Sequence, residues 1–486
     1  MEQTAPFDPD FGTAREALDA LARGAIASSE LTAHVFARIK RHNPQLNLFI
    51  SLAEERAMAL AKAADERRAR RQRLGALDGL PIVVKDVFAT EGLRTTAGSK
   101  KLEAFIPTED AVVVARAKAA GAIVIGKTNL PEFAGDWQSY NQVAGTSNNP
   151  WDGARTPGGS TGGGAAALAA GLGFLEIGGD LSGSLRIPSH FCGVYGHKPT
   201  ADLVPPRGHI PPPPGVVAPH SELGVVGPLA RGADDLRLAL DVIAGPDGPE
   251  AKALRCALPP PRRDSLAAYR LGYLIDDPYC PVDSGVGRVL SDALDSLRRS
   301  GAQLSEGWPA GVDPARQFET FGALLAAFMS QTVPDQEFQE LRRGVEKGAG
   351  DPFATGMTVL HRDWLRYGGD RLRARAAWHD YFETHDAFLM PVTFVAAFPH
   401  DHTSDMSARR LITAEGSRPY QDLPRWTAFA NLTGCPATVA PVGRTAGGLP
   451  VGIQIMGPLF EDATSIDIAA RMAAVTGGFV APRTLR

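Results

Sequence analysis

An α/β fold built on a layered sheet is what this sequence predicts, and three observations predict it. Apolar runs of strand length alternate with helical stretches, the pattern of a sheet covered by helices. One segment repeats its apolar residues at helical spacing with little room for another reading. The proline-rich stretches 205–219 and 258–261 are flanked on both sides by resumed strand and helix signals, so they read as surface loops and not as domain linkers.

The elements follow in order. A helical stretch spans roughly 13–41, and a second helix passes through Glu55–Lys62. A strand is expected at about 80–85, a helix near 110–120, and another strand at Ala122–Ile125. Val286, Val289, Leu290, Ala293, Leu294 and Leu297 recur at helical spacing and stop before Gly301, defining an amphipathic helix. No internal repeat is visible. The stretch of about 305–425 is poor in motifs and reads as a variable insertion shaping a substrate entrance.

Composition narrows the class. A hydrophobic content of 44% with 21% charged residues is that of an ordinary soluble globular protein. The net charge of −4 gives no reason to expect nucleic acid or an anionic membrane as partner. Cys192, Cys256, Cys280 and Cys435 are widely scattered, with no pair at metal or redox spacing, which fits a reducing cytoplasm. The opening Met-Glu-Gln-Thr-Ala-Pro lacks a signal-peptide pattern. The most apolar stretch, 165–175, is short and broken by glycine, so no membrane span is expected.

Chemistry concentrates around two serines. Gly158-Gly-Ser160-Thr-Gly-Gly-Gly164 and Gly179-Asp-Leu-Ser-Gly-Ser184-Leu-Arg-Ile-Pro188 each set a serine among glycines. Glycines leave a hydroxyl open and let backbone N–H groups point at the group it attacks, as an oxyanion hole requires. Upstream, Pro81-Ile-Val-Val-Lys85-Asp86 ends an apolar run in a lysine, and desolvation there favours the neutral, basic amine. Two serines and such a lysine suffice for a hydrolase without a catalytic histidine.

Competing motifs carry less weight. Gly121-Ala-Ile-Val-Ile-Gly126-Lys127-Thr128 satisfies the P-loop pattern, but Ala-Ile-Val-Ile is strand-like and Pro131 soon interrupts any helix. Gly158–Gly162 satisfies the nucleophile-elbow pattern, but loop and not strand precedes it. The basic run Glu66–Arg73 reads as a solvated helix face. No histidine pair has zinc-ligand spacing beside a glutamate, so no metal is expected. His190 and His197 read as packing residues, Lys198 as structural, and Asp180 with Arg186 as a buried pair fixing the serine loop.

These segments resemble the amidase signature family over nearly the whole chain. The family pattern of Gly-Gly-Ser-Ser-Gly-Gly, a small-residue helix, Gly-Thr-Asp-x-Gly-Gly-Ser-x-Arg-x-Pro, and Cys-Gly-x-x-Gly-x-Lys-Pro-Thr is met by 158–163, 178–188 and 192–200. Further matches are Lys85-Asp86 running on to Gly98-Ser99, Gly126–Phe133, Asn431–Pro436 and Gly448–Gly452. The resemblance implies one α/β/α domain over 1–486 around a large, mixed, twisted sheet. It also implies a nucleophile at Ser184, a bridging serine at Ser160 on a cis peptide bond, and a basic Lys85. The backbone N–H groups of Leu181, Ser182, Gly183 and Ser184 would form the oxyanion hole. Gly179, Ser182 and Thr161 depart from the family's Thr, Gly and Ser but leave all three catalytic positions filled. Ser182 ranks below Ser184 as nucleophile.

The implied activity is hydrolysis of non-peptide carbon–nitrogen bonds, without cofactor, in the cytoplasm, by a monomer or homodimer. One branch of the family is the glutamine-hydrolysing component of a tRNA-dependent amidotransferase, which usually carries Ala-Met-Gly-Ser-Ser after Glu-Phe. Here Ala134-Gly135-Asp136-Trp137-Gln138 follows Glu132-Phe133. A tryptophan in place of small polar residues argues for a stand-alone amidase of small hydrophobic or aryl substrates, with Gly135, Asp136 and Trp137 as candidate substrate contacts. Carbamates (urethanes) and esters are alternative substrates of the same chemistry.

Overall fold

The computed structural model describes residues 7–485 apart from 211, 213 and 217–220. The opening residues read for a signal peptide, and part of the 205–219 loop, therefore lie outside the described residues. The expected helix at 13–41 is two helices, α1 (Ala14–Arg23) and α2 (Ser28–Leu46). A capping box formed by Thr13 and Glu16 starts α1, and Gly24 in the left-handed region ends it. Strand β1 (Phe49–Leu52), α3 (Glu54–Ala69), β2 (Pro81–Lys85), α4 (Val112–Ala119) and β3 (Ile123–Thr128) follow. A two-strand ribbon, β4 (Tyr140–Asn141) with β5 (Gly145–Thr146), precedes α5 (Gly162–Ala169).

The middle of the chain supplies β6 (Leu175–Asp180), α6 (Arg186–Cys192), β7 (Tyr195–Lys198), β8 (Val225–Ala230), α7 (Ala233–Ile243), β9 (Arg270–Tyr273), α8 (Ser284–Arg299) and β10 (Gln303–Glu306). The apolar set read from the sequence, Val286 to Leu297, is the buried face of α8. Helices α9 (Pro314–Met329), α10 (Asp335–Glu346), α11 (Pro352–Met357) and α12 (His361–Phe382) come next, then β11 (Ala387–Pro391). A hairpin of β12 (Arg410–Thr413) and β13 (Gly416–Pro419) leads to α13 (Ala428–Thr433), β14 (Ala437–Arg444), β15 (Pro450–Met456) and α14 (Asp462–Thr476).

Among the described residues, one 11-stranded sheet runs β1-β3-β2-β6-β8-β7-β14-β15-β11-β9-β10. It is mixed: β3, β2 and β6 pair in parallel, as do β11, β9 and β10, while the intervening pairs are antiparallel. Every position of β2, β3, β6, β11 and β15 is buried, as expected for strands covered on both faces. The stretch 305–425 is therefore more than an appendage, because β11 within it joins the sheet between β15 and β9. Among the described residues no helix is long and apolar enough to cross a membrane.

Candidate active site

Strand β2 delivers Lys85 to its last position, where the side chain is 1% exposed. Its Nζ lies 2.7 Å from Ser160 Oγ. Burial lowers the lysine pKa from 10.5 to about 7, against the opposing pull of the Glu176 and Asp180 carboxyls. At that value a large share of the amine is neutral at neutral pH, with a lone pair to accept a proton.

Ser160 follows a cis Gly159–Ser160 peptide and stands just before α5. A side chain at Gly159 is excluded, since its Cβ would lie 2.6 Å from both the Asp136 carbonyl oxygen and the Gln138 nitrogen. The 136–138 segment thus packs directly on the serine peptide. The Thr161 N–H donates to the Ser184 carbonyl at 3.2 Å, tying the first serine loop to the second.

Ser184 lies between β6 and α6 and is buried. Its loop is wrapped around Asp180, whose carboxylate accepts from the N–H groups of Gly183 (2.9 Å) and Leu185 (3.1 Å) and from Arg186 Nε (2.9 Å) and Nη2 (2.8 Å). Burial works against the charged form, but Arg186 and Asn431 hold the Asp180 carboxyl well below the usual range. Arg186 is itself fully buried and donates further to the Thr427 carbonyl, Gln454 and Asn431. Asp180 and Arg186 are thus the loop-fixing pair expected of them.

The oxyanion-hole expectation changes in one respect. The Gly183 N–H is engaged by Asp180, whereas those of Leu181, Ser182 and Ser184 donate to no protein acceptor among the described residues. The Ser182 hydroxyl is buried without a hydrogen-bond partner, and the Ser182 carbonyl accepts from the Trp137 indole at 2.8 Å.

The three candidate substrate contacts separate. Gly135 is exposed. The Asp136 carboxylate is taken up in a buried network, accepting from Arg409 Nη1 at 2.6 Å, from Tyr140 at 3.0 Å and from the Tyr420 hydroxyl. A buried carboxylate needs such partners, so Asp136 is committed to this network and is not free to hold a ligand. Trp137 is half-buried, 5.5 Å from the Tyr420 ring, and is the one of the three placed beside the Ser184 loop with a ring to offer.

The competing motifs resolve as core. Strand β3 runs straight through Gly126 and Lys127, and Lys127 is buried with its amine on the Phe88 carbonyl, Thr90 and Thr95, so it cannot cradle a phosphate. His190 is held by Gly452 and Val395, His197 by Thr438 and Asp462, and Lys198 donates to the Pro199 carbonyl at 2.7 Å. Two groups escaped the sequence reading. Arg409, which completes the Asp136 network, carries no local signal. Glu176, buried beside Lys85, does carry one: a lone acidic residue inside the apolar run Phe174–Ile177.

The site thus joins a buried lysine–serine contact to a glycine-rich serine loop on a large mixed sheet. The particular family follows from similarity: residues 30–466 match the family described as Amidase, and the chain belongs to the amidase signature family. It is an enzyme acting on carbon–nitrogen bonds other than peptide bonds. A glutamyl-tRNA(Gln) amidotransferase component of Anaeromyxobacter sp. (strain K) is 34% identical over 504 residues, spanning 96% of this chain and 97% of its own. A chain from a vestigial protein complex bearing on the origins of an s-triazine catabolic enzyme superposes with a TM-score of 0.79 at 27% identity, over 96% of this chain and 99% of its own. A bacterial aryl acylamidase of the amidase signature family shares the fold at a TM-score of 0.79 and 22% identity, over 96% and 97%.

Proposed function

We propose that this chain is a stand-alone amidase that hydrolyses small hydrophobic or aryl amides through an acyl-enzyme on Ser184. Ser184 Oγ attacks the carbonyl carbon while its proton passes to Ser160 Oγ and the Ser160 proton passes to neutral Lys85. The oxyanion accepts from the N–H groups of Leu181, Ser182 and Ser184. The relay then runs backwards to protonate the departing amine, leaving the acyl group on Ser184. Water attacks the ester by the same relay, releasing the carboxylic acid. The observation that carries this reading is the 2.7 Å contact between Lys85 Nζ and Ser160 Oγ, with the lysine buried enough to be about half neutral near pH 7. Carbamates and esters follow the same path.

The test is adduct mapping. A serine-directed fluorophosphonate should label wild type at Ser184, label Ser160→Ala slowly at Ser184, and leave Ser184→Ala unlabelled and inactive. An adduct on Ser160 would sink the assignment.

A second reading, the glutamine-hydrolysing component of an amidotransferase, is favoured by the 34% identity to that relative over nearly the full length of both chains. Trp137, seated on the Ser182 carbonyl where that branch carries small polar residues, supports the stand-alone reading. The purified chain should hydrolyse an aryl amide or carbamate faster than glutamine. Glutaminase activity that emerges only when the other amidotransferase components are added would reverse the order of the two.

A further inference from the structure

Glu176 is the one acidic side chain in the interior of the covered strands β2, β3 and β6. It pairs with Val83 in the parallel β2–β6 ladder, and Lys85 pairs with Thr128 in the β2–β3 ladder. Residues two apart on a strand, and residues paired across strands, share a face of the sheet. Val83, Lys85, Thr128 and Glu176 therefore stand on one face, with Lys85 between the other two polar groups. The Thr128 hydroxyl donates to Glu176 Oε1 at 2.7 Å, reaching across β2. Glu176 Oε2 is buried and has no hydrogen-bond partner. Helix α5 makes room for this carboxyl at Gly164, where a Cβ would overlap Glu176 Cδ and Oε1.

Building on the assignment of Lys85 as the base, we propose that Glu176 is a positioning residue for it: the carboxyl and the amine titrate as a coupled pair, and Glu176 sets the pH at which Lys85 becomes able to accept a proton. The charged groups acting on this pair are few. Lys127 on β3 faces Asp86 at 3.9 Å and also draws on Glu176, and Asp180 further along β6 is neutralised by Arg186. Burial pushes the Glu176 carboxyl up, despite Thr128 and the two lysines, and the Lys85 amine down, so the two titrations are drawn towards one another. An ionised Glu176 favours the charged amine. Removing the carboxylate therefore lowers the proton affinity of Lys85.

The experiment is the pH profile of kcat/KM for a chromogenic anilide, with purified full-length wild type, Glu176→Gln, Thr128→Val and Lys85→Arg. In Glu176→Gln the acidic limb should move down by about half to one pH unit, so that the ratio of kcat/KM at about pH 6 to that at about pH 8 rises about 2.5- to fivefold. Thr128→Val should shift the limb the same way by less, since it removes a hydrogen bond that favours the ionised carboxyl, and it decides the matter if the Gln variant does not fold. Profiles of Glu176→Gln or Thr128→Val that superimpose on wild type, with Lys85→Arg inactive, overturn the role of Glu176 alone. A folded Lys85→Arg enzyme with near-normal turnover overturns the base assignment itself.

Discussion

Replacing Lys85 by methionine should abolish turnover and make the protein more stable at neutral pH. Lysine binds a proton more weakly in the folded chain than in the unfolded one, at about 7 against an ordinary 10.5. The difference of roughly 3.5 units corresponds to about 5 kcal/mol of folding free energy forgone when the amine is fully charged in both states. At pH 7, with the folded amine half neutral, about 4 kcal/mol of that remains. Methionine carries no such cost, and the hydrogen bond to Ser160 that it gives up contributes only about 1 kcal/mol. A net gain of about 2–3 kcal/mol is expected, in line with other buried charges replaced by apolar residues of similar volume. The sign also fixes the pH dependence. The unfolded wild-type chain binds the extra proton between about pH 7 and 10.5, so wild-type stability contributed by this group rises with pH across that window. The gap between variant and wild type should therefore close as pH approaches 10. Denaturant midpoints at several pH values, with circular dichroism as the probe, measure it. A Lys85→Met protein less stable than wild type at pH 7, or a gap that ignores pH, would refute the claim that the lysine is held neutral by burial.

Gly164→Ala should lower both stability and activity by driving a methyl into the Glu176 carboxyl, and Glu176→Ala in the same chain should restore the stability, measured as thermal midpoints in a double-mutant cycle. Arg186→Met should cost about 3–5 kcal/mol by stranding the buried Asp180 carboxylate, and Asp180→Asn added to it should recover part of the loss in denaturant midpoint. Trp137→Phe removes the indole N–H from the Ser182 carbonyl and should reduce kcat/KM about fivefold for all substrates alike, a loss of about 1 kcal/mol. Trp137→Ala should in addition change the ranking of aryl against small aliphatic amides, read from a substrate panel.

What the sequence made legible was what neighbours in the chain decide. The buried face of α8, the strand ending in Lys85 and the two serine loops are local patterns, and each is where its residues put it. The 13–41 stretch broke into two helices because the left-handed turn at Gly24 interrupts it, a boundary that apolar spacing does not mark. The site's electrostatics were legible only in part, because they depend on strand order. Arg409 reaches Asp136 across 273 residues, and so ties an apparent substrate contact into a buried ion pair. The β3-β2-β6 order sets Glu176 and Thr128 on either side of Lys85, although 48 residues separate Thr128 from Glu176. A motif names the groups proposed to exchange protons, but the strand register decides which buried carboxyl sits beside them. For this family of folds, a lone acidic residue in an otherwise apolar strand preceding the second serine is thus the sequence feature that should track with the pH at which the base lysine works, and Glu176 is its instance here.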